Sequence, residues 1–105
     1  MKYEYSATVV KVVDGDTVDL AVDLGFHITF TDRFRLYGIN TPETNTKEGK
    51  IAKAVVERLS PVGSIVKIKT HKDKRGKYGR WLATIIHNRV NVNKYLLRYG
   101  YATEY

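Results

Sequence analysis

A chain of 105 residues with 43% hydrophobic side chains can build one domain with a true core, leaves no room for a second, and is too apolar to be disordered. It contains no cysteine, which excludes a disulfide framework, thiolate catalysis and a thiolate-held metal. Eighteen Lys and Arg against eleven Asp and Glu leave a net charge of +7, a field that favours polyanions, nucleic acids first among them. The start, MKYEYSATVV, lacks the apolar run of a signal peptide, and no later stretch could span a bilayer. The expectation is a protein with no membrane partner, cytoplasmic as given or secreted if a leader has been removed.

The first forty residues read as strands. Tyr3 to Val13 is rich in β-branched and aromatic residues, and Asp14-Gly15-Asp16 supplies a turn. Val18, Leu20, Val22 and Leu24 then alternate with Thr17, Asp19, Ala21 and Asp23, a period of two that buries one face. Gly25 turns the chain again, and His27 to Tyr37 forms a third strand with Ile28, Phe30, Phe34 and Leu36 on one parity. After Glu43 the period changes. Ile51, Val55 and Leu59 recur every four residues, with Ala52 and Ala54 nearby and charges between, which predicts an amphipathic helix capped by Thr46 and closed by Ser60-Pro61 and Gly63. Ser64 to Thr70 returns to strand, Lys72 to Gly79 is a polar hairpin loop, and Trp81 to His87 is a fifth strand with Trp81 expected in the core. Asn93 is read as the cap of a short helix that Gly100 ends. The order β-β-β-α-β-β-α suits a mainly β, α+β architecture: a five-stranded Greek-key barrel of the OB type with two to three helices, one domain over residues 1–105.

Charge is unevenly placed along this frame. Asp14, Asp16, Asp19, Asp23 and Asp32 fall early, whereas Lys67, Lys69, Lys72, Lys74, Arg75, Lys77 and Arg80 face a single Asp73 later. An acidic corner inside a basic protein is what a metal site facing a phosphate backbone requires. Asp16 shares the parity of Val18 and Leu20, so its carboxylate points to the interior side of the barrel mouth and needs a partner there, for which a hard cation would serve.

Three stretches carry chemistry only when taken together, since each alone is an ordinary turn or surface segment. They are Val13-Asp14-Gly15-Asp16-Thr17-Val18, the run from Arg35 to Glu43 that contains Asn40-Thr41-Pro42, and Lys77-Tyr78-Gly79-Arg80. Hydrolysis of a phosphodiester needs a group to activate water, cationic donors for charge growing on the phosphoryl oxygens, and often a divalent ion. One glutamate, two arginines and the acidic corner supply that set.

In their order, VDGDTV, FRLYGINTPE, KYGR and VNKYLLRYGYA, these motifs resemble the staphylococcal nuclease family, and the likeness runs from about Thr8 to Ala102. The resemblance implies a calcium-dependent, sugar-nonspecific nuclease that cuts DNA and RNA, single strands preferred, on the 5′-oxygen side to leave 3′-phosphates. It implies Asp16, Asn40 and the Thr41 carbonyl as the protein's share of a Ca²⁺ site, with Asp14 supporting Asp16. Glu43 would be the general base, Arg35 and Arg80 the groups that grip the scissile phosphate, and Lys77 and Tyr78 the holders of the neighbouring phosphate. Three departures stand out. Asn40 occupies a position that is usually aspartate, which weakens a calcium site. The loop from Glu43 to Gly49 is shorter than in the secreted bacterial enzymes, and the chain stops soon after the second helix.

His27, His71 and His87 are scattered without metal spacing and read as structural or surface residues. Tyr3, Tyr5, Tyr95, Tyr99 and Tyr101 are expected to pack in the core or rim the barrel, whereas Tyr37 and Tyr78 could touch a base or sugar. A monomeric nuclease is the leading expectation. The alternatives are a related barrel that binds nucleic acid without cutting it, which Asn40 favours, and a protein-interaction domain using its aromatic surface. Retention of Arg35, Glu43 and Arg80 together favours the enzyme, because a pure binder has no need of a general base.

Overall fold

The computed structural model describes residues 3–72 and 81–105, with the backbone alone at Lys72. Strand β1 (Tyr3–Asp14) pairs antiparallel with β2 (Thr17–Asp23), and β2 with β3 (Thr29–Leu36). On its other edge β1 pairs with β5 (Ile65–Lys72), which pairs with β6 (Trp81–His87). A short parallel ladder, Phe34 to Leu36 of β3 against Trp81 to Ala83 of β6, closes the ring β1-β2-β3-β6-β5 into the expected five-stranded barrel. Two-residue strands complete the fold: β4 (Ile39–Asn40) pairs with β8 (Thr103–Glu104), and β7 (Val90–Asn91) with the end of β6. The helices are α1 (Lys47–Leu59) and α2 (Val92–Arg98). Neither is long and apolar enough to cross a membrane.

Strand alternation builds the core. Val18, Leu20 and Val22 of β2, Phe34 and Leu36 of β3, Val66 and Ile68 of β5, and Ala83 and Ile85 of β6 are all buried, as a period of two demands. The parity fails at one end only. Leu24, Ile28 and Phe30 remain exposed; among the described residues β3 meets β6 from Phe34 onward, so these side chains lie beyond that ladder. Trp81 is likewise 46% exposed rather than in the core, its ring set edge-on to Phe30 at 6.1 Å between centroids. Of the tyrosines, Tyr5, Tyr95 and Tyr101 pack against the core, while Tyr3 and Tyr99 stay more than half exposed.

The helices carry two further corrections. Thr46 caps α1 as expected, accepting a hydrogen bond from the Gly49 N–H at 3.0 Å, and Ser60 ends it. Its buried face, however, is Gly49, Ala52, Val55 and Val56, with Ile51 turned to solvent. Small residues lead because α1 seats closely: a Cβ on Gly15 would stand 2.9 Å from that of Ala52. In α2 the cap is Asn91, whose Oδ1 accepts from Lys94 N at 3.0 Å, not Asn93. Asn93 is buried and serves the sheet, accepting from Ile85 N and donating to the carbonyls of Tyr37 and Ala83.

Candidate active site

The Asp14-Gly15-Asp16 turn is shaped by an irregularity in β1 between Val12 and Asp14 and by the packing of α1 beneath it. Asp14 Oδ1 accepts from the Asp16 N–H at 3.1 Å, the self-bond of an aspartate turn. Gly15 is required by space, since a Cβ there would lie 2.8 Å from Thr41 Oγ1. Asp16 itself is 6% exposed, on the interior parity that the sequence predicts. Each of its oxygens has a donor: Oδ1 accepts from the Thr17 hydroxyl at 3.1 Å, and Oδ2 from the Thr41 N–H at 3.1 Å. A guanidinium nitrogen of Arg35 stands 3.6 Å from Oδ2.

Arg35 reaches this corner because Thr17 and Arg35 are paired across β2 and β3. The same nitrogen, Nη2, donates to Asn40 Oδ1 at 3.0 Å and approaches the Ile39 carbonyl at 3.4 Å. Asp16, Arg35, Asn40 and Thr41 thus meet in one connected network, and Asp14 adjoins it through Asp16. Glu43 follows on a braced turn. Its carbonyl accepts from the Thr46 N–H at 3.0 Å and the Thr46 hydroxyl at 2.6 Å, and a Cβ on Gly49 would collide with that same carbonyl. The Glu43 side chain is exposed at the start of α1. Arg80, Lys77 and Tyr78 lie outside the described residues.

The two carboxylates do not share their burden equally. Burial pushes the Asp14 carboxyl above its ordinary range, and the hydrogen-bonding contact and like charge of Asp16 push it further. Burial opposes ionisation of Asp16 as well, but contacts with Asp14, the Thr41 N–H, Arg35 and the Thr17 hydroxyl outweigh it and hold that carboxyl low. Asp16 is therefore a fixed anion beside a carboxylate that would gain from a cation.

The candidate ligand atoms of this corner are oxygens: two carboxylates, the Asn40 amide oxygen and the buried Thr41 hydroxyl. That set fits a hard divalent ion rather than a transition metal. Among the described residues, though, no group of three or more His, Cys, Asp or Glu is placed to hold a metal. Position 40 carries a neutral amide, and its oxygen accepts from Arg35. Thr41 Oγ1 is without a hydrogen-bond partner among the described residues.

Tyr105 escaped the sequence reading. Its ring lies under the Arg35 guanidinium, 4.8 Å from centroid to Cζ, because β8 pairs Thr103 with Asn40 and Glu104 with Ile39. A two-residue strand pairing across sixty-odd positions leaves no local pattern to find.

Comparison with known proteins places the chain in a family. The family model described as staphylococcal nuclease homologue matches residues 33–105, well over half the chain, and includes Arg35, Asn40, Thr41 and Glu43. Asp14 and Asp16 precede the matched range. The chain is 35% identical over a 128-residue alignment to the uncharacterized protein MJ1439 of Methanocaldococcus jannaschii, covering 96% of this chain and 59% of that protein. It is 29% identical over 114 residues to the endonuclease YhcR of Bacillus subtilis, covering 97% of this chain and 9% of the relative. It therefore spans about three fifths of the first relative and under a tenth of the second. On the extent of the family match and the barrel that accompanies it, the chain belongs to the staphylococcal nuclease homologue family.

Proposed function

We propose that this protein is a calcium-dependent nuclease that hydrolyses phosphodiester bonds of DNA and RNA, with a preference for single strands. The observation that carries the proposal is the network in which buried Asp16, Arg35, Asn40 and Thr41 converge one turn away from Glu43. In this reading Asp16, supported by Asp14, would hold the ion together with Asn40 and the Thr41 carbonyl. The ion, when bound, would offset negative charge on the phosphate. Arg35 turns from Asn40 to the scissile phosphate and donates to oxygens whose charge grows during attack, with Arg80 as its counterpart. Glu43 takes a proton from the attacking water as its oxygen bonds to phosphorus. The P–O5′ bond breaks, the 5′-hydroxyl leaves with a proton from solvent, and the phosphate stays on the 3′ side. Lys77 and Tyr78 hold the next phosphate. The working unit is a monomer.

The test is incubation with denatured DNA, with calcium and with chelator, followed by analysis of the ends. Calcium-dependent cleavage that leaves 3′-phosphates is expected. Binding of DNA with no cleavage at any calcium concentration would instead support a binding barrel, the reading that neutral Asn40 favours. Asn40→Asp restores a charged donor and is expected to tighten calcium binding about tenfold by titration calorimetry, in line with affinity that follows ligand charge. Unchanged affinity would remove Asn40 from the ion's surroundings.

A further inference from the structure

The chemistry above uses Arg35 and leaves unexplained what shares its face of the sheet. Because Phe34, Ala83 and Ile68 point into the core, Arg35 of β3, Leu82 and Thr84 of β6, and Lys69 and His71 of β5 point outward. The register sets Arg35 beside Leu82 and Leu82 beside His71. His71 thus stands two strand spacings, about 10 Å, from Arg35. There Tyr37 lies flat on His71, with ring centroids 3.8 Å apart and planes 7° from parallel, while His71 Nε2 is 3.0 Å from Thr84 Oγ1. Tyr37 nevertheless keeps 47% of its surface exposed.

A recess of about 310 Å³ opens at this stack, lined also by Lys69, Asn91 and Lys94, and no carboxylate lines it among the described residues. Lys69 Nζ pairs with Glu4 Oε1 at 3.6 Å on the β1 side. Buried Asn93 fixes the floor by donating to the Tyr37 carbonyl at 3.0 Å and the Ala83 carbonyl at 3.1 Å. A stacked aromatic pair and two ammonium side chains, of which Lys69 also pairs with Glu4, form the chemistry that takes a nucleobase and its phosphate.

We infer that this recess is a second nucleic-acid subsite, which seats one base and the adjoining phosphate of the single strand flanking the scissile bond. The inference rests on the nuclease reading and extends it to the substrate's length and strandedness. The Tyr37–His71 pair offers a π-face that any base can use, so the subsite adds affinity without sequence choice. Lys69 and Lys94 add charge that duplex and single strand share, but only an unpaired base reaches the rings.

The test compares fluorescein-labelled oligothymidylates of two and eight nucleotides, bound in chelator and followed by anisotropy, for the wild type, Lys69→Gln/Lys94→Gln, Tyr37→Ala and Tyr37→Trp. The double lysine variant is expected to bind the dinucleotide as the wild type does and the octamer about tenfold more weakly. Its logarithmic salt slope for the octamer should flatten by about 1.4, two phosphate contacts at roughly 0.7 each. Tyr37→Ala is expected to lose about tenfold or more on the octamer and Tyr37→Trp to restore it, a recovery that a merely structural role would not give. Octamer binding unchanged in all variants overturns the subsite, and equal losses on both lengths overturn it too, assigning the lysines to the general field. The nuclease reading fails by a separate result, absence of calcium-dependent cleavage by the wild type, which leaves the length dependence of binding to stand or fall on its own.

Discussion

The two ends of the β2–β3 hairpin are built from one alternating pattern and could hardly differ more. Near Asp16 and Arg35 nearly every polar group is spoken for, and glycines stand where a methyl group would not fit. Some seven residues along, Leu24, Phe26 and Ile28 project into solvent, Phe26 being 94% exposed, on a tip whose Phe26 and His27 have left-handed backbones. A chain this basic and this small does not spend close packing evenly; it concentrates it where charged groups must be held apart from water and in fixed relation.

The sharpest way to test that contrast is at the exposed acid of the packed end. Glu43→Gln keeps the shape and removes the basic oxygen, and turnover on denatured DNA should fall by roughly two to four orders of magnitude with affinity nearly unchanged. Near-normal turnover in a rigorously purified variant would show that water is activated elsewhere. Next comes Arg35→Lys, which keeps the net charge yet loses the planar guanidinium whose Nη2 stands at both Asn40 and Asp16. Single-turnover rates should drop by about 10²-fold, as for loss of an oxyanion-type donor. A drop no larger than that of the Lys69→Gln/Lys94→Gln protein would return Arg35 to the general basic surface.

Stability should separate the two ends more gently. Gly49→Ala drives a methyl group into the Glu43 carbonyl and should cost about 1–3 kcal/mol by denaturant titration, the range for overpacking. Phe26→Ser should stay within about 0.5 kcal/mol, as surface changes do. Equal costs would erase the distinction drawn here.

The smallest effect is electrostatic. The folded Asp14 carboxyl is raised, so its ionisation opposes folding once the pH exceeds the folded value, and that opposition is absent below the unfolded value near 3.8. Asp16 has the opposite sign: its stabilisation is full above the unfolded value and is lost as pH falls through the lowered folded one. Without calcium at neutral pH, Asp14→Asn should therefore raise the melting temperature and Asp16→Asn lower it. For Asp14→Asn the difference from wild type should close as the solution is acidified below the ordinary carboxylate range. Shifts of the same sign at neutral pH would contradict the assignment.

Much of this could be read from the sequence, for a definite reason. Alternation gave the barrel strands wherever both neighbours in the sheet are present, and Asp16 followed from the same parity. Parity misled at Leu24, Ile28, Phe30 and Trp81, because burial there depends on where β3 meets β6, which no local pattern records. Thr46 was legible as a cap, whereas Asn93 was confused with Asn91: both are asparagines near a helix start, and only the sheet's unpaired groups decide which one turns inward. On α1, Val55 and Leu59 face the core as expected, but Ile51 does not, because the helix seats closely against Gly15 through Ala52. The grouping of Asp16, Arg35, Asn40 and Thr41 was expected from family motifs, but that Arg35 would occupy the Asn40 oxygen is a matter of side-chain geometry that motifs do not carry.

The β4–β8 ladder has an architectural consequence. Tyr105 donates its N–H to the Gly38 carbonyl, and its ring meets Arg35, so the C-terminal end of this domain is moored beside the site. Strand β1 begins instead near the hairpin tip, where Tyr3 and Phe30 line one apolar hollow. Polypeptide joined before the barrel departs from the bare end, and polypeptide joined after Tyr105 departs past the guanidinium. In any longer protein built on this unit, a following segment leaves beside Arg35, whereas a preceding one leaves beside Thr70 of β5.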